Sequence, residues 1–339
     1  MTVSASRRGI TRIETLLLIV SLSFAAAAVV PERGSMDRRK QRQECAYRLG
    51  LLAKASSHYS MANDGWILGS PNSSGAYLLN RTVAYGPAVQ VWDFMGPLAE
   101  FYGLGFTLPP ESGSQAAIAE RFNQIRNSEV FHCPANGFMA SGYPSPGGVD
   151  AGTGPMISYN TARNQLFLPG NVDVGVQSIG TSANVILPAG YLPKIDRLGD
   201  LSRKVWSADG ARYSTIEIQP DYDLAVRASF GGTFSDAGSY SKSSRSWDRR
   251  RAPGNGSLSR TDARHYGFRH SDTDPPVGAP AEAFKHNLAF YDTHVETQGD
   301  LTSTNPHQWL PVGSTLHSTD IWRDTILHFG LPPISLLIN

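Results

Sequence analysis

Hydrophobic and polar residues follow three patterns along the chain, and each predicts a different kind of element. The first is an almost continuous apolar run over residues 10–30. At about 1.5 Å per residue, a helix of this length covers about 30 Å, which matches the hydrocarbon core of a bilayer. The run therefore predicts one membrane-spanning helix, and no second run of this kind follows it in the sequence.

The second pattern begins after Pro31, where apolar and small residues recur every three or four positions. The recurring positions are Cys45, Leu49, Leu52, Ser56 and Tyr59. Their spacing predicts an amphipathic continuation of the helix over 31–63, with one buried stripe and an end at Asn63-Asp64-Gly65. Because proline lacks an N–H and clashes with the preceding turn, Pro31 predicts either a kink in one long helix or a division between two helices.

The third pattern, over residues 64–339, consists of short strand-like runs separated by long loops. The predicted strands are 77–80, 156–159, 184–187, 204–208, 213–218 and 286–295, and the predicted helices are 114–126 and 88–102. Gly96-Pro97 can break the second of these helices. Together the patterns predict an α+β fold, in which a long N-terminal helix, transmembrane and then amphipathic, packs on an antiparallel β-sheet head with long loops.

The net charge of the chain argues against one class of function, the binding of nucleic acid. Thirty basic and 29 acidic residues give a formal net charge of +1, so there is no electrostatic case for binding nucleic acid. The basic stretch 245–251 lies among Ser, Gly and Pro and indicates a solvated loop, with an anion or polymer contact as the alternative. Arg7, Arg8 and Arg12 stand at the start of the apolar run, so the positive-inside rule predicts a single-pass chain with a cytoplasmic N-terminus.

The two cysteines, Cys45 and Cys133, belong to no Cys-x-x-Cys pair, which excludes a four-cysteine zinc site. If the head lies outside the cytoplasm, they can form a disulfide. Closing a loop of roughly ninety residues would stabilise the fold by about 4 to 5 kcal/mol in the chain-entropy model. Two buried unpaired thiols are the alternative.

The stretch Arg7-Arg8-Gly9-Ile10-Thr11-Arg12-Ile13-Glu14 resembles the processing motif of type IV prepilins and type II secretion pseudopilins. The resemblance implies cleavage after Gly9 by a prepilin peptidase, removal of a leader over 1–9 and methylation of the new N-terminal Ile10. It also implies that Glu14 and Pro31 serve assembly with other pilin-like subunits. The expected location is then the bacterial inner membrane, anchored through 10–30, with a periplasmic or extracellular head.

Cleavage after Gly9 would give Glu14 a charged partner. A charge costs about 2.5 to 3.5 kcal/mol at the centre of a membrane helix and less near its end. Residues four apart share a helix face, so cleavage would place the Ile10 ammonium beside the Glu14 carboxylate, or the same carboxylate can bind the N-terminus of a neighbouring subunit. Arg12 departs from the family pattern, which has an apolar residue there. It can snorkel to the headgroups or impair filament packing.

Two other interpretations of the N-terminus remain open. One is a secretory signal with an apolar region from Leu16 to Phe24 and a cleavage site among Ala25 to Ala28, and the other is an uncleaved anchor.

Three further segments resemble large-headed pseudopilin-like proteins: 44–66, Phe131-His132-Cys133-Pro134 and Ile157-Ser158-Tyr159-Asn160. Residues 268–295 resemble a degenerate form of the prepilin-type H-X9-DG domain. In this segment the spacer after His270 is longer than nine residues, and Thr293 replaces the glycine.

Few residues are candidates for binding a metal ion or another ligand. His270, Asp292 and His294 could hold zinc or another divalent ion, although turn formation and backbone hydrogen bonding near a strand end explain them better. Five loop carboxylates could hold calcium without forming an EF-hand: Asp196, Asp200, Asp209, Asp272 and Asp274. The six tryptophans, at 66, 92, 206, 247, 309 and 322, could form a sugar-stacking platform or belong to the core.

The sequence contains no Gly-x-Ser-x-Gly, His-Glu-x-x-His, Walker or Gly-x-Gly-x-x-Gly motif, which predicts a non-catalytic protein without an obligatory cofactor. The expected function is that of a pseudopilin-like structural subunit in type II secretion or pilus-like assembly. The alternative is a membrane-tethered or secreted module that binds carbohydrate or protein, for which the N-terminus serves only export.

Overall fold

The fold is taken from a computed structural model of the chain. It describes residues 12–70, 92–101, 115–137, 139–142, 152–167, 184–211, 221–222, 234–244, 265–273, 275–276 and 278–339. The side chains of 12–35, and those of a few positions in the shorter elements, lie outside this description.

The N-terminal helix α1 is one continuous element from Arg12 to Ala62. It passes Pro31 without a break, so division into two helices is the wrong interpretation. The helix ends as predicted: Asp64 and Gly65 have φ values of 52° and 75°, and the Gly65 N–H donates a 2.8 Å hydrogen bond to the Ser60 carbonyl. This left-handed pair stops further helical propagation.

Among the described residues, no helix combines the length and the apolar character needed to cross a membrane. The predicted span 10–30 falls on positions whose side chains lie outside the described part of the chain. It remains a prediction.

Eleven strands are described. In chain order, β1 to β11 are Met139–Gly142, Gly154–Pro155, Tyr159–Ala162, Val185–Ile186, Val205–Asp209, Asp221–Tyr222, Ser235–Asp236, Lys285–Phe290, Val295–Gly299, Thr315–His317 and Ser335–Leu337. The largest sheet has the order β7-β3-β5-β8-β9, and two three-stranded sheets have the orders β2-β1-β6 and β11-β10-β4.

The large sheet is antiparallel except at one edge, where β3 and β7 run parallel. A second parallel pair joins β1 and β6. The prediction of an antiparallel head is therefore wrong in this detail, because loop connections bring strands together in both directions. The coarser prediction of an α+β fold is confirmed.

Helix α1 packs against the central strands β5 and β8 and against β9. The predicted stripe forms this contact. Its members are buried, with exposures between 0 and 3%: Cys45, Leu49, Leu52, Ser56 and Tyr59. The 3.6-residue period placed these side chains on one face, and the apolar surface of the sheet covers them. The second half of α1 is thus part of the core of the head.

Three shorter helices follow: α2 at Met95–Phe101, α3 at Gln115–Arg126 and α4 at Arg323–Phe329. Helix α3 matches its prediction to one residue. Helix α2 begins at Met95 rather than at the predicted residue 88. Asp93 accepts hydrogen bonds from the N–H groups of Met95 and Gly96 and so caps the N-terminus of the helix at this position. Pro97 then lies in the first turn, where its missing N–H costs nothing.

The predicted strands agree with the structure to different extents. The run 204–208 forms β5 and the run 184–187 contains β4, whereas only the last residue of 156–159 joins a strand, β3. The runs 77–80 and 213–218 lie outside the described residues.

The run 286–295, predicted as one strand, is a hairpin of β8 and β9, so that prediction is wrong. The Thr293 N–H donates a 2.9 Å hydrogen bond to the Phe290 carbonyl, and Thr293 itself has a φ of 79°. A turn followed by one left-handed residue is a common three-residue hairpin connection, and it normally favours glycine at that position.

Candidate functional site

Four side chains from distant parts of the sequence meet between helix α1 and the large sheet. Cys45 comes from the buried stripe of α1, and Cys133 follows the 3-10 turn Glu129–Phe131. Asp209 is the last residue of β5, and His270 lies in the loop that leads to β8. One ligand atom from each of the four lies within 4.8 Å of the others. We call these four residues the Cys-Asp-His cluster.

Three short contacts connect the cluster. The Cys45 thiol donates a 3.0 Å hydrogen bond to Asp209 Oδ1. Cys133 Sγ lies 3.3 Å from His270 Nε2, and the same nitrogen lies 3.1 Å from Asp209 Oδ2. The carboxylate is therefore the centre of the cluster, with contacts to both the helix and the imidazole.

The Asp209 carboxylate has further partners in the sheet. The Asn287 N–H on β8 donates a 2.7 Å hydrogen bond to Oδ2, and the Arg269 guanidinium lies 3.7 Å from Oδ1. Burial raises the pKa of Asp209, but the His270 charge and hydrogen bond, followed by the Arg269 charge, outweigh burial and lower the pKa to about 2. The carboxylate is thus ionised at neutral pH.

Arg269 is held by the backbone as well. Its guanidinium donates hydrogen bonds to the carbonyls of Ser158, at 3.2 Å, and Gly210, at 2.6 Å. Ser158 directly precedes β3 and Gly210 directly follows β5, so these bonds connect the loop carrying His270 to two adjacent strands of the large sheet. The backbone contacts fix where the imidazole enters the cluster.

The pKa values of the His270 imidazole and the Cys133 thiol are shifted in opposite directions. Burial lowers the pKa of His270, but the Asp209 carboxylate outweighs it and raises the pKa to about 10. Burial raises the pKa of Cys133, but the Cys45 hydrogen bond and the neighbouring His270 lower it to about 6. A thiolate and an imidazolium therefore face each other near neutral pH.

The Cys45 thiol behaves differently. Burial, the hydrogen bond to Cys133 and the Asp209 charge all raise its pKa. Its sulfur also lies 3.5 Å from the Tyr159 hydroxyl. Without a further positive charge in the cluster, Cys45 stays protonated.

The cluster is closed to solvent. Cys45, Cys133, Asp209 and His270 have exposures of 0, 1, 0 and 2%. Cys133 and Asp209 both contact Nε2 of the imidazole, whereas a nucleophilic relay needs the acid on the other ring nitrogen. The arrangement can hold a proton, a metal ion or a sulfur–sulfur bond, and it offers a substrate no approach.

The three sequence-predicted metal residues do not form one group among the described residues. Asp292 and His294 lie at the hairpin turn, half exposed, where His294 Nδ1 is 2.5 Å from Asp292 Oδ1. His270 belongs to the Cys-Asp-His cluster instead. The prediction is wrong for this trio because His270 pairs with Lys285 at the start of β8, whereas Asp292 and His294 lie in the turn after its other end.

Cys45 and Cys133 do meet, although they are 88 positions apart. In the structure both are buried free thiols, and the disulfide that the sequence suggested is not formed. The alternative of two unpaired thiols describes them as they stand.

The predicted processing residues lie where the description ends. Gly9 and Ile10 lie outside the described residues. Glu14 and Pro31 lie in helix α1, where the structure describes their backbone but not their side chains.

The loop carboxylates have other partners. Asp196 pairs with Arg197, Asp200 accepts hydrogen bonds from Ser202, and Asp272 contacts Arg42 and Lys285. Asp274 lies outside the described residues. Of the five calcium candidates, only Asp209 belongs to a described group of potential ligands, and two members of that group are sulfur donors.

The tryptophans belong mainly to the core. Four are buried: Trp92, Trp206, Trp309 and Trp322. Trp66 is partly exposed and lies under the Lys194 ammonium, and Trp247 is outside the described residues. The described tryptophans form no exposed row.

Asp209 is the member of the cluster that the sequence suggested only as a loop carboxylate. A usable signal was present: Asp209 directly follows the predicted strand 204–208, and the structure buries all five residues of the strand that forms there, β5. A carboxylate at the end of a fully buried strand needs partners.

The chain matches no family model, no curated protein and no solved structure.

Proposed function

We propose that the chain is a membrane-anchored, non-catalytic pseudopilin-like subunit of type II secretion or of a pilus-like assembly. In this proposal a prepilin peptidase cleaves after Gly9, and residues 10–30 anchor the mature chain in the bacterial inner membrane. The head then lies in the periplasm or outside the cell.

One observation carries the proposal. Helix α1, about 75 Å long at 1.5 Å per residue, contains both Glu14 and the buried stripe of the head. Because the helix is continuous, displacement of its N-terminal half along its axis moves the head with it. A subunit that enters a helical assembly through its N-terminus needs this coupling, whereas a module that only requires export does not.

Contacts at the head support the same role. Arg42 contacts Asp272 at 2.9 Å, and Arg48 donates hydrogen bonds to the carbonyls of Glu129 and His132. The helix is therefore held to the head by polar contacts as well as by the apolar stripe.

The test is multimer formation in cells that express the chain with a prepilin peptidase. Chemical crosslinking in membranes should give multimers for the wild type and several-fold fewer for Glu14→Gln, which removes the charge while keeping the size. Asp37→Asn, at an exposed position on the same helix, is the matched control and should behave as wild type. Equal multimer yields for wild type and a cleaved, membrane-located Glu14→Gln would instead favour the exported binding module.

A further inference from the structure

We propose that the Cys-Asp-His cluster is a structural zinc site, with Cys45, Cys133, Asp209 and His270 as four tetrahedral ligands. The site would clamp helix α1 to the head. This inference is independent of cleavage or assembly at the N-terminus.

The donor set selects the metal class. Two sulfurs, one imidazole nitrogen and one carboxylate oxygen form a mixed set that suits Zn²⁺. Calcium and magnesium need a shell of oxygen donors, which two cysteines cannot supply. The four donors already exhaust the coordination of a closed tetrahedral site, so the ion would have no open position for catalysis.

The distances fit this geometry after a small expansion. Zinc–ligand bonds of about 2.0 to 2.3 Å imply ligand–ligand edges of about 3.3 to 3.8 Å in a tetrahedron. With Asp209 Oδ2 as the carboxylate ligand, two edges measure 3.1 Å, to His270 Nε2, and 3.3 Å, from His270 Nε2 to Cys133 Sγ. The Cys45 sulfur lies 3.0 Å from the other carboxylate oxygen, and one ligand atom from each residue lies within 4.8 Å of the others. The two measured edges would lengthen by a few tenths of an ångström around the ion.

Charge is also matched. Two thiolates and the Asp209 carboxylate carry three negative charges, and Zn²⁺ with the Arg269 guanidinium carries three positive charges. The buried group would therefore be neutral overall, which avoids the large penalty for an uncompensated buried charge. Binding would release the protons of the Cys45 thiol and of the His270 imidazolium, so affinity should rise with pH.

The surrounding residues hold some ligands better than others. The Asn287 N–H and Arg269 orient the carboxylate. The other ring nitrogen of His270, Nδ1, is buried and has no hydrogen-bond partner in the described part of the chain. Because such outer partners typically strengthen metal binding about 10- to 100-fold, we expect an affinity below that of a fully supported structural site.

The site would stabilise a specific contact. Cys45 is the ligand from helix α1, and the other three come from the head. Bound zinc would therefore connect the two directly, and any stabilisation would appear as a concentration-dependent rise in the melting temperature.

The test uses the full chain, purified in detergent with a phosphine reductant, treated with a chelator and dialysed against Zn²⁺. Elemental analysis should find close to one zinc ion per chain. Co²⁺ in place of Zn²⁺ should give the visible absorption of a tetrahedral site with thiolate ligands. Cys133→Ser and His270→Gln should each weaken binding at least about 10-fold, and His294→Gln, at the hairpin turn, should not change it.

Two results would overturn the proposal. The first is a reduced wild-type chain that takes up no zinc and shows no tetrahedral Co²⁺ spectrum. This measurement needs no variant, so a variant that fails to fold does not obscure it. The second is a chain from membranes, isolated without reductant, that carries a Cys45–Cys133 disulfide and no metal. In the proposed state, the chain isolated in this way carries zinc and both cysteines are recovered as thiols.

Discussion

The Cys45 thiol donates a hydrogen bond of 3.0 Å to Asp209 Oδ1, which joins the N-terminal helix to the central strand of the large sheet. The contact spans 164 positions of sequence. It lies among other buried polar side chains, including Arg269 and His270, and these groups depend on one another for hydrogen bonds and charge compensation. The stability of the fold should respond strongly to changes here.

Asp209→Asn should lower the free energy of unfolding by about 3 to 5 kcal/mol, because it leaves the Arg269 and His270 charges buried without their counter-ion. Urea unfolding with reductant and chelator measures this loss. Asp196→Asn, at an exposed ion pair, should change stability by no more than about 0.5 kcal/mol. A loss below about 1 kcal/mol for Asp209→Asn would show that the carboxylate is not the centre of the cluster.

In the metal-free protein, the His270–Cys133 pair should make a contribution to stability that is independent of pH over a broad range. In the unfolded chain, His270 loses its proton near its ordinary pKa of 6.5 and Cys133 near 9.0, whereas in the folded chain their pKa values are about 10 and about 6. Between about pH 6.5 and 9, each state therefore binds one proton on this pair, and the contribution of the pair to stability is constant. Above pH 9 the folded state binds more protons on the pair, so this contribution falls as pH rises toward 10.

At acid pH the contribution of Asp209 to stability changes in the opposite direction and falls as the pH falls. The pKa of Asp209 is lowered to about 2, so its contribution is complete above its ordinary pKa of 3.8 and is lost as pH falls toward 2.

Cys133→Ser leaves His270 as the only titrating member on the basic side, and stability should then decline from about pH 6.5 upward. Urea unfolding across pH 3 to 10 checks both profiles. Parallel profiles for wild type and Cys133→Ser between pH 6.5 and 9 would contradict the coupling.

Thr293→Gly should stabilise the head by about 1 kcal/mol. Thr293 has a φ of 79°, and a side chain in the left-handed region costs about 1 to 2 kcal/mol that glycine avoids. Thermal unfolding measures the gain. Thr297→Gly, in the extended strand β9, is the control and should destabilise, since glycine adds flexibility there without relieving strain. A lower melting temperature for Thr293→Gly would count against strain at the turn.

Arg12→Leu should increase the yield of crosslinked multimers if the N-terminal helix enters a membrane assembly. Removing the guanidinium removes a desolvation cost of up to about 2.5 to 3.5 kcal/mol, less near the end of the helix. Arg12→Lys keeps the charge and should leave the yield unchanged. If neither variant differs from wild type, Arg12 reaches the headgroups without opposing assembly.

The sequence predicted the parts of the molecule that depend on local periodicity. The stripe from Cys45 to Tyr59 and its end at Gly65 are set by neighbours along the chain, so they could be predicted to within a residue or two. Thr293 stands where the H-X9-DG pattern has glycine, and the turn there follows from that position. The parallel edge of the sheet could not be predicted, because strand direction depends on long connections.

The candidate site was predictable only in part. The sequence suggested that Cys45 and Cys133 are close, and His270 was a candidate ligand with the wrong companions. Asp209 could not be assigned to them, since its place depends on the register of β5 against β8, where Ala208 pairs with Leu288. Contacts over such sequence distances come from tertiary packing rather than from any local signal.

The most direct test of the proposed function is the N-terminus of the mature chain, determined by mass spectrometry of protein from bacterial membranes that contain a prepilin peptidase. The account predicts that the chain starts at Ile10, with a mass increase of one methyl group, and that Glu14 follows as the fifth residue. A chain that starts after a cut among Ala25 to Ala28, or that retains the leader over 1–9, would contradict it.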